Sequence, residues 1–139
     1  MPTFDIETEE ITAFEIGDTY IFKKYFDEDQ LFKQMETYYN EDKYRFEIPE
    51  SDLKQVRQTL DKYYYELEVA DSINDYCVVV DKKSKSASTL KNSVMRKHRG
   101  QHEILIMKNK LSKEQSLEKD AVSLQKSEVA NEELEWKPR

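Results

Sequence analysis

Two short apolar runs constrain this chain most: YCVVVD at residues 76–81 and EILIM at residues 103–107. Each is a continuous aliphatic stretch of strand length, and each reads as a strand buried on both faces. Strands of that kind need a sheet around them and helices over them. The rest of the pattern supplies both.

Residues 10–26 read EITAFEIGDTYIFKKYF, two β-rich runs flanking Gly17-Asp18. A Gly-X pair between such runs predicts a two-residue II′ hairpin. Thr12, Phe14 and Ile16 share one face, and Tyr20, Phe22 and Phe26 share a face of the second run. In DEDQLFKQMETYYN, the residues Leu31, Phe32, Met35, Tyr38 and Tyr39 fall on one helical face, with Asp27 as N-cap and Gln30 at the capping-box position. YRFEI at 44–48 alternates as a half-buried strand stopped by Pro49. Leu53, Val56 and Leu60 line the next helix. ELEV at 66–69 alternates again, and DSIND at 71–75 is a turn cluster. A helix is expected over about Ala87 to His98, with Leu90, Val94 and Met95 as its apolar side and Gly100 as its C′ stop. A last helix follows in LSKEQSLEKDAV, with Ser112 and Gln115 as capping box and Leu117 and Ala121 facing inward. A short strand fits around 121–125.

From residue 44 the order is β-α-β-β-α-β, the ferredoxin-like split βαβ motif. The expected fold class is therefore α+β, a ferredoxin-like sheet-and-helix layer preceded by a β-hairpin and a helix. One domain over residues 1–124 and a polar tail over 125–139 are the expected organisation. A lone tryptophan, Trp136, makes docking of that tail the alternative.

The chain has 139 residues, 37% apolar and 37% charged. That length suits one domain. The aromatic share of 12% offsets the modest apolar content, because each buried ring removes a large area from water. The one cysteine, Cys77, lies in an apolar run and reads as a small buried hydrophobe. A lone cysteine fits a reducing compartment. No basic-then-apolar leader opens the sequence, and no apolar run approaches the ~20 residues of a spanning helix. A cytoplasmic protein without membrane contact is expected.

Charge is unevenly spread. The net charge is −7, yet residues 82–102, KKSKSASTLKNSVMRKHRGQH, carry seven cations and no acid, leaving the remainder at −14. Lysine and arginine bind phosphate through charge, and free N–H groups at a helix start assist. KKSKSAS puts Lys82, Lys83 and Lys85 with Ser86 and Ser88 just before the expected helix, as an anion cradle. Arg96, Lys97 and Arg99 gather at its other end, where cations also relieve the dipole. The plainer reading pairs these charges with acids of the same chain, since residues 1–50 hold 14 acids and 5 bases; surface pairs of that kind are each worth roughly 0–1 kcal/mol.

Three other groupings have chemical potential. His98 and His102 have metal-ligand spacing on a helix, but Gly100 lies between them, and surface imidazoles are the simpler reading. Asp71, Asp75 and Asp81 flank the strand at 76–80 without converging; turn-forming aspartates explain the first two. Tyr38, Tyr39, Tyr44, Tyr63, Tyr64 and Tyr65 could stack bases, although core packing with hydroxyls at the rim accounts for most of them.

Only two glycines are present, and no phosphate-binding glycine motif, H-E-x-x-H, C-x-x-C or G-x-S-x-G occurs. No repeat is found. No nucleophile, base and orienting acid stand out, so no catalytic residue, metal or cofactor is expected. The expected function is a non-enzymatic module that holds an anionic ligand or the phosphates of nucleic acid on residues 82–99. An acidic protein is the other partner of that segment. The alternative function is a protein-interaction or regulatory domain, homodimeric through the aromatic hairpin at 10–26.

Overall fold

The computed structural model describes residues 7–81, 83, 87–119, 121–127 and 136. The chain is mixed α+β, with two sheets and four α-helices among the described residues. It divides into two compact units, Met1–Val69 and Ala70–Arg139.

In the first unit, β1 (Glu9–Ile16) and β2 (Thr19–Phe22) form the expected hairpin. Gly17 has φ 63° while Asp18 does not enter the positive region, the signature of a II′ turn. Helix α1 (Asp29–Met35) buries Leu31 and Met35. It is shorter than its apolar spacing predicts. The chain passes through a 3₁₀ turn and joins the sheet as β3 (Tyr39–Asn40), pairing with β4 (Arg45–Pro49). The Asn40 side chain accepts the backbone N–H groups of Asp42 and Lys43 at 3.0 and 3.1 Å, a local turn that competes with helix continuation. Helix α2 (Leu53–Asp61) buries Val56 and Leu60, and β5 (Tyr65–Val69) follows.

The sheet order is β3-β4-β2-β1-β5, antiparallel except for the parallel pair of β1 with β5. Alternation sends Ile11, Ala13, Tyr20, Phe22, Phe46, Ile48 and Leu67 to the face covered by α1 and α2. Phe22 stacks on Phe46 with centroids 5.1 Å apart, and Phe26 meets Phe46 and Tyr65 edge-on. Full burial of side chains this size contributes roughly 1.5–3 kcal/mol each.

In the second unit, β6 (Cys77–Asp81), α3 (Ala87–Lys91), β7 (Ser93–Arg99), β8 (His102–Met107), α4 (Lys110–Leu117) and β9 (Val122–Ser123) follow in order. The antiparallel order is β7-β8-β6-β9. The two apolar runs are neighbours at the sheet centre, in register from Cys77 opposite Ile106 to Asp81 opposite His102. Val78, Val80, Leu105, Met107 and Ala121 form one core cluster with Leu90 against it. Val79, Ile104 and Ile106, which alternate with them, are also buried.

Two expectations are corrected. The strands of the expected ferredoxin-like layer do not share a sheet: β4 and β5 lie with β1 to β3, whereas β6 and β8 lie in the other sheet. The N-terminal hairpin takes the place beside β4 and β5, and β6 is paired on both sides by β8 and β9. The helix expected to reach His98 ends at Lys91, and residues 93–99 are strand β7. Gly100 has φ 61° with no positive φ at Gln101, and it turns the β7–β8 hairpin. A left-handed glycine serves a helix end and a II′ turn equally, which is why the residue alone misled.

Helix α4 also differs in phase. Asn109, not Ser112, is its N-cap, accepting the Ser112 N–H at 2.8 Å. The inward residues are Ser112 and Ser116, while Leu111 and Leu117 are exposed. Ala121, beyond the helix, is buried as expected, and β9 supplies the short strand.

Candidate functional site

The basic segment becomes chiefly a strand and a hairpin. Lys82, Lys85 and Ser86 lie outside the described residues. Lys83 is exposed in a turn, and its backbone N–H donates to Asp81 Oδ1 at 2.8 Å. Ser88 sits in α3, where its hydroxyl accepts from Lys119 Nζ at 2.6 Å. That helix has five residues, too few for the aligned dipoles on which a helix-start cradle depends. Of the expected cradle KKSKSAS, only Lys83, Ala87 and Ser88 are among the described residues, Lys83 exposed and Ser88 half-buried.

Arg96, Lys97 and Arg99 come from β7, the last strand in the order of its sheet among the described residues. Successive strand residues point to opposite faces and advance about 3.4 Å each. The three cations thus span about 10 Å along the sheet end. Arg96 lies opposite Leu105 and is exposed; Lys97 lies opposite Ile104 and Arg99 opposite His102, both half-buried. The Arg99 guanidinium donates to the His98 carbonyl at 3.0 Å. Lys97 Nζ stands 5.8 Å from the centre of the Trp136 ring.

The histidines do not converge. His98 pairs with Glu103 and His102 with Arg99, so the pleat turns the two imidazoles to opposite faces. His98 Nδ1 lies 3.2 Å from Glu103 Oε1, and this carboxyl is fully buried. Nothing in EILIM distinguishes Glu103 from the polar start of a strand; its role emerges only from the register opposite His98.

The aspartates also separate. Asp75 holds a turn through its N–H to the Ser72 carbonyl, and its own carbonyl accepts from Lys113 Nζ. Asp81 ends β6 and caps the following turn through Lys83. Cys77 is fully buried, and burial pushes its thiol up to about 12, the Lys113 ammonium pulling partly back. Its S–H donates to the Ile73 carbonyl at 3.4 Å.

The tyrosines pack at the rim of the first unit's core. Tyr38 donates to Asp52 at 2.8 Å, a bond that raises its pKa together with burial. Tyr65 donates to Glu28 at 3.1 Å; burial first and this bond second push it up to about 12. Tyr39 packs on Phe46, and Tyr63 accepts from Gln34. Tyr44 and Tyr64 are exposed, each at a positive φ. The hairpin at 10–26 buries Tyr20, Phe22 and Phe26 and exposes Tyr25, so its aromatic character serves mainly the core.

Two polar groupings escape sequence reading. Glu10, Glu66 and Glu68 bring carboxylate oxygens within 4.8 Å of one another, because parallel pairing sets Glu10 opposite Glu66 and Thr12 opposite Glu68. A cleft of about 60 Å³ lies among Ser88, Thr89, Asn92, Ser112, Ser116 and Lys119. It is far below the few hundred Å³ of a nucleotide-sized site. Among the described residues no helix is long and apolar enough to cross a membrane. Compared with known protein families, curated proteins and solved structures, the chain matches none.

Proposed function

We propose that this chain is a non-enzymatic, cytoplasmic binding module that contacts the phosphates of nucleic acid through the β7–β8 hairpin. The single observation that carries the reading is the placement of Arg96, Lys97 and Arg99 along one extended strand at a sheet end, within a stretch that has no acid between residues 82 and 102. The one acid on the facing strand, Glu103, is buried, with its carboxyl beside His98. Lys83 extends the same basic run in sequence.

The test is fluorescence anisotropy with labelled single- and double-stranded oligonucleotides, from low to physiological salt. The wild type is compared with a Lys83→Glu, Arg96→Glu, Arg99→Glu variant. Three to five phosphate contacts give a log–log salt slope of about −3 to −4.5 on duplex. The expected result is salt-dependent binding by the wild type and its loss in the folded variant. Binding by neither protein, with both folded, rejects the reading. An acidic protein partner is then sought by the same charge reversal.

A further inference from the structure

We infer that the end of the five-stranded sheet carrying Tyr25, Tyr44 and Tyr64 is a docking surface for an arginine-rich peptide segment of a partner protein. This surface belongs to the first unit and is independent of the reading of β7. The three tyrosines are 82%, 66% and 52% exposed. Among the described residues, Tyr44 and Tyr64 are the only non-glycine residues with positive φ, 55° and 65°. A bulky side chain is disfavoured there, where glycine or asparagine is at home. Burial does not account for a ring at either turn, and strain held at an exposed side chain points to a ligand for it. Topology brings the three to one end. Tyr44 and Tyr64 directly precede β4 and β5, and Tyr25 follows β2 by three residues. Because β2 is antiparallel to β4 and to β1, and β1 is parallel to β5, β2 finishes where β4 and β5 begin. Three strand spacings and an offset of about three residues put Tyr44 and Tyr64 about 17 Å apart, which about six extended residues span. The segments that form this end, 7–10, 23–28, 41–44 and 61–64, hold eight acids and four lysines. Such a surround disfavours phosphate and draws in cations, and ring faces attract guanidinium groups most readily. The chain already uses this chemistry once. The Lys24 ammonium, next to Tyr25, pairs with Glu9 and stands 5.6 Å from the centre of the Tyr65 ring.

The test is fluorescence anisotropy of the full-length protein with labelled octa-arginine. The wild type is compared with a Tyr44→Asn, Tyr64→Asn variant and with Tyr25→Ala, neither of which alters the net charge. Asparagine accepts the left-handed region, so the double variant should keep or raise the urea midpoint of the wild type. Octa-arginine should bind the wild type, about 5-fold or more weakly to the double variant and about 2-fold more weakly to Tyr25→Ala. Octa-lysine should bind the wild type less tightly than octa-arginine, since the planar guanidinium stacks on rings better than an ammonium. Equal affinity for octa-arginine in all three proteins means that net charge alone draws the peptide, and overturns the docking surface. Absence of binding to the wild type overturns it too. A lowered urea midpoint in the double variant assigns the two rings to the fold and counts against the surface in the same way. If instead labelled oligothymidylate binds the wild type and is lost in the double variant, the rings serve bases, and the cationic partner is overturned.

Discussion

The five-stranded sheet ends in an acidic strand, and the four-stranded sheet ends in a basic one. On β5 the exposed residues are Glu66 and Glu68; on β7 they are Arg96 and His98, with Lys97 and Arg99 half-exposed. Charge at a sheet end discourages pairing with further strands, and both ends have that property. Their neighbours differ. Glu66 faces Glu10 across a parallel register, and Glu68 adds a third carboxylate within 4.8 Å. Arg96 and Lys97 face Leu105 and Ile104, His98 faces a carboxyl, and only Arg99 faces another basic residue, His102. The acidic end thus concentrates like charge against itself, which is unfavourable. The basic end sets its charge on an apolar strand, where an external anion meets little internal repulsion.

The largest expected difference between the two units lies at alkaline pH. Cys77 in the second unit and Tyr65 in the first are both held neutral by burial, each up to about 12 from 9.0 and 10.0 respectively. A raised value means that the native state resists losing its proton. The stability is therefore complete below the ordinary value and is lost as pH rises through the raised one. For Cys77 the window runs from about 9 to about 12, worth roughly 4 kcal/mol by its upper end. For Tyr65 it begins about one pH unit later and is smaller. Trp136 reports the second unit, and eight of the nine tyrosines report the first. Denaturant unfolding at stepped pH should show the tryptophan signal weakening first. A Cys77→Ala variant should lose this early dependence; if it does not, burial of the thiol is not the cause.

Next in size are two leucines, each one step from a charged surface. Leu105 lies opposite Arg96, and Leu67 lies opposite Ile11 on β5. Both are buried, so Leu105→Ala and Leu67→Ala should each cost about 3 kcal/mol in thermal or urea unfolding. Under conditions where both variants stay folded, only Leu105→Ala should weaken oligonucleotide binding, because it loosens the strand that carries Arg96. Equal weakening in both would mean that binding follows global stability rather than the geometry of β7.

Much of the scaffold was legible because period and burial agree in it. The runs at 76–81 and 103–107 are adjacent central strands, and Gly17-Asp18 turns the first hairpin. Cys77 is also buried where its apolar run puts it, whereas Tyr38, Tyr39 and Tyr63 pack against the first core from beyond the helices whose spacing predicts them. What was not legible depends on partners distant in sequence. SVMRKHR at 93–99 lacks a strong period of either kind, and pairing with β8 decides its state. The parallel pairing of β1 with β5 joins segments about fifty residues apart and divides the strands between two sheets. The cations Arg96, Lys97 and Arg99 are legible in the sequence by charge alone. Their strand geometry and the Glu103 carboxyl beside His98 follow from the β7–β8 register, which composition does not encode.

The smallest effect bears most directly on the contrast between the two sheet ends. Glu66→Gln removes one of three converging charges while keeping the side chain's length. It should raise stability by about 0.2–1 kcal/mol. Because these carboxylates are exposed, the gain should shrink as salt approaches 1 M, where screening falls to about 3 Å. Arg96→Gln is the matching change on β7. Its opposite residue is Leu105 rather than a like charge, so no comparable gain is expected at low salt. Urea midpoints for the two variants at low and high salt decide the matter. If Arg96→Gln stabilises as much as Glu66→Gln, and salt erases both gains, then the basic strand repels itself as the acidic one does. A surface under such repulsion would draw in anions of any kind to relieve it, and binding should then lack any preference between single strands, duplexes and inorganic phosphate. If only Glu66→Gln stabilises, the charge on β7 is held without cost to the fold, and its value has to be sought in what it binds.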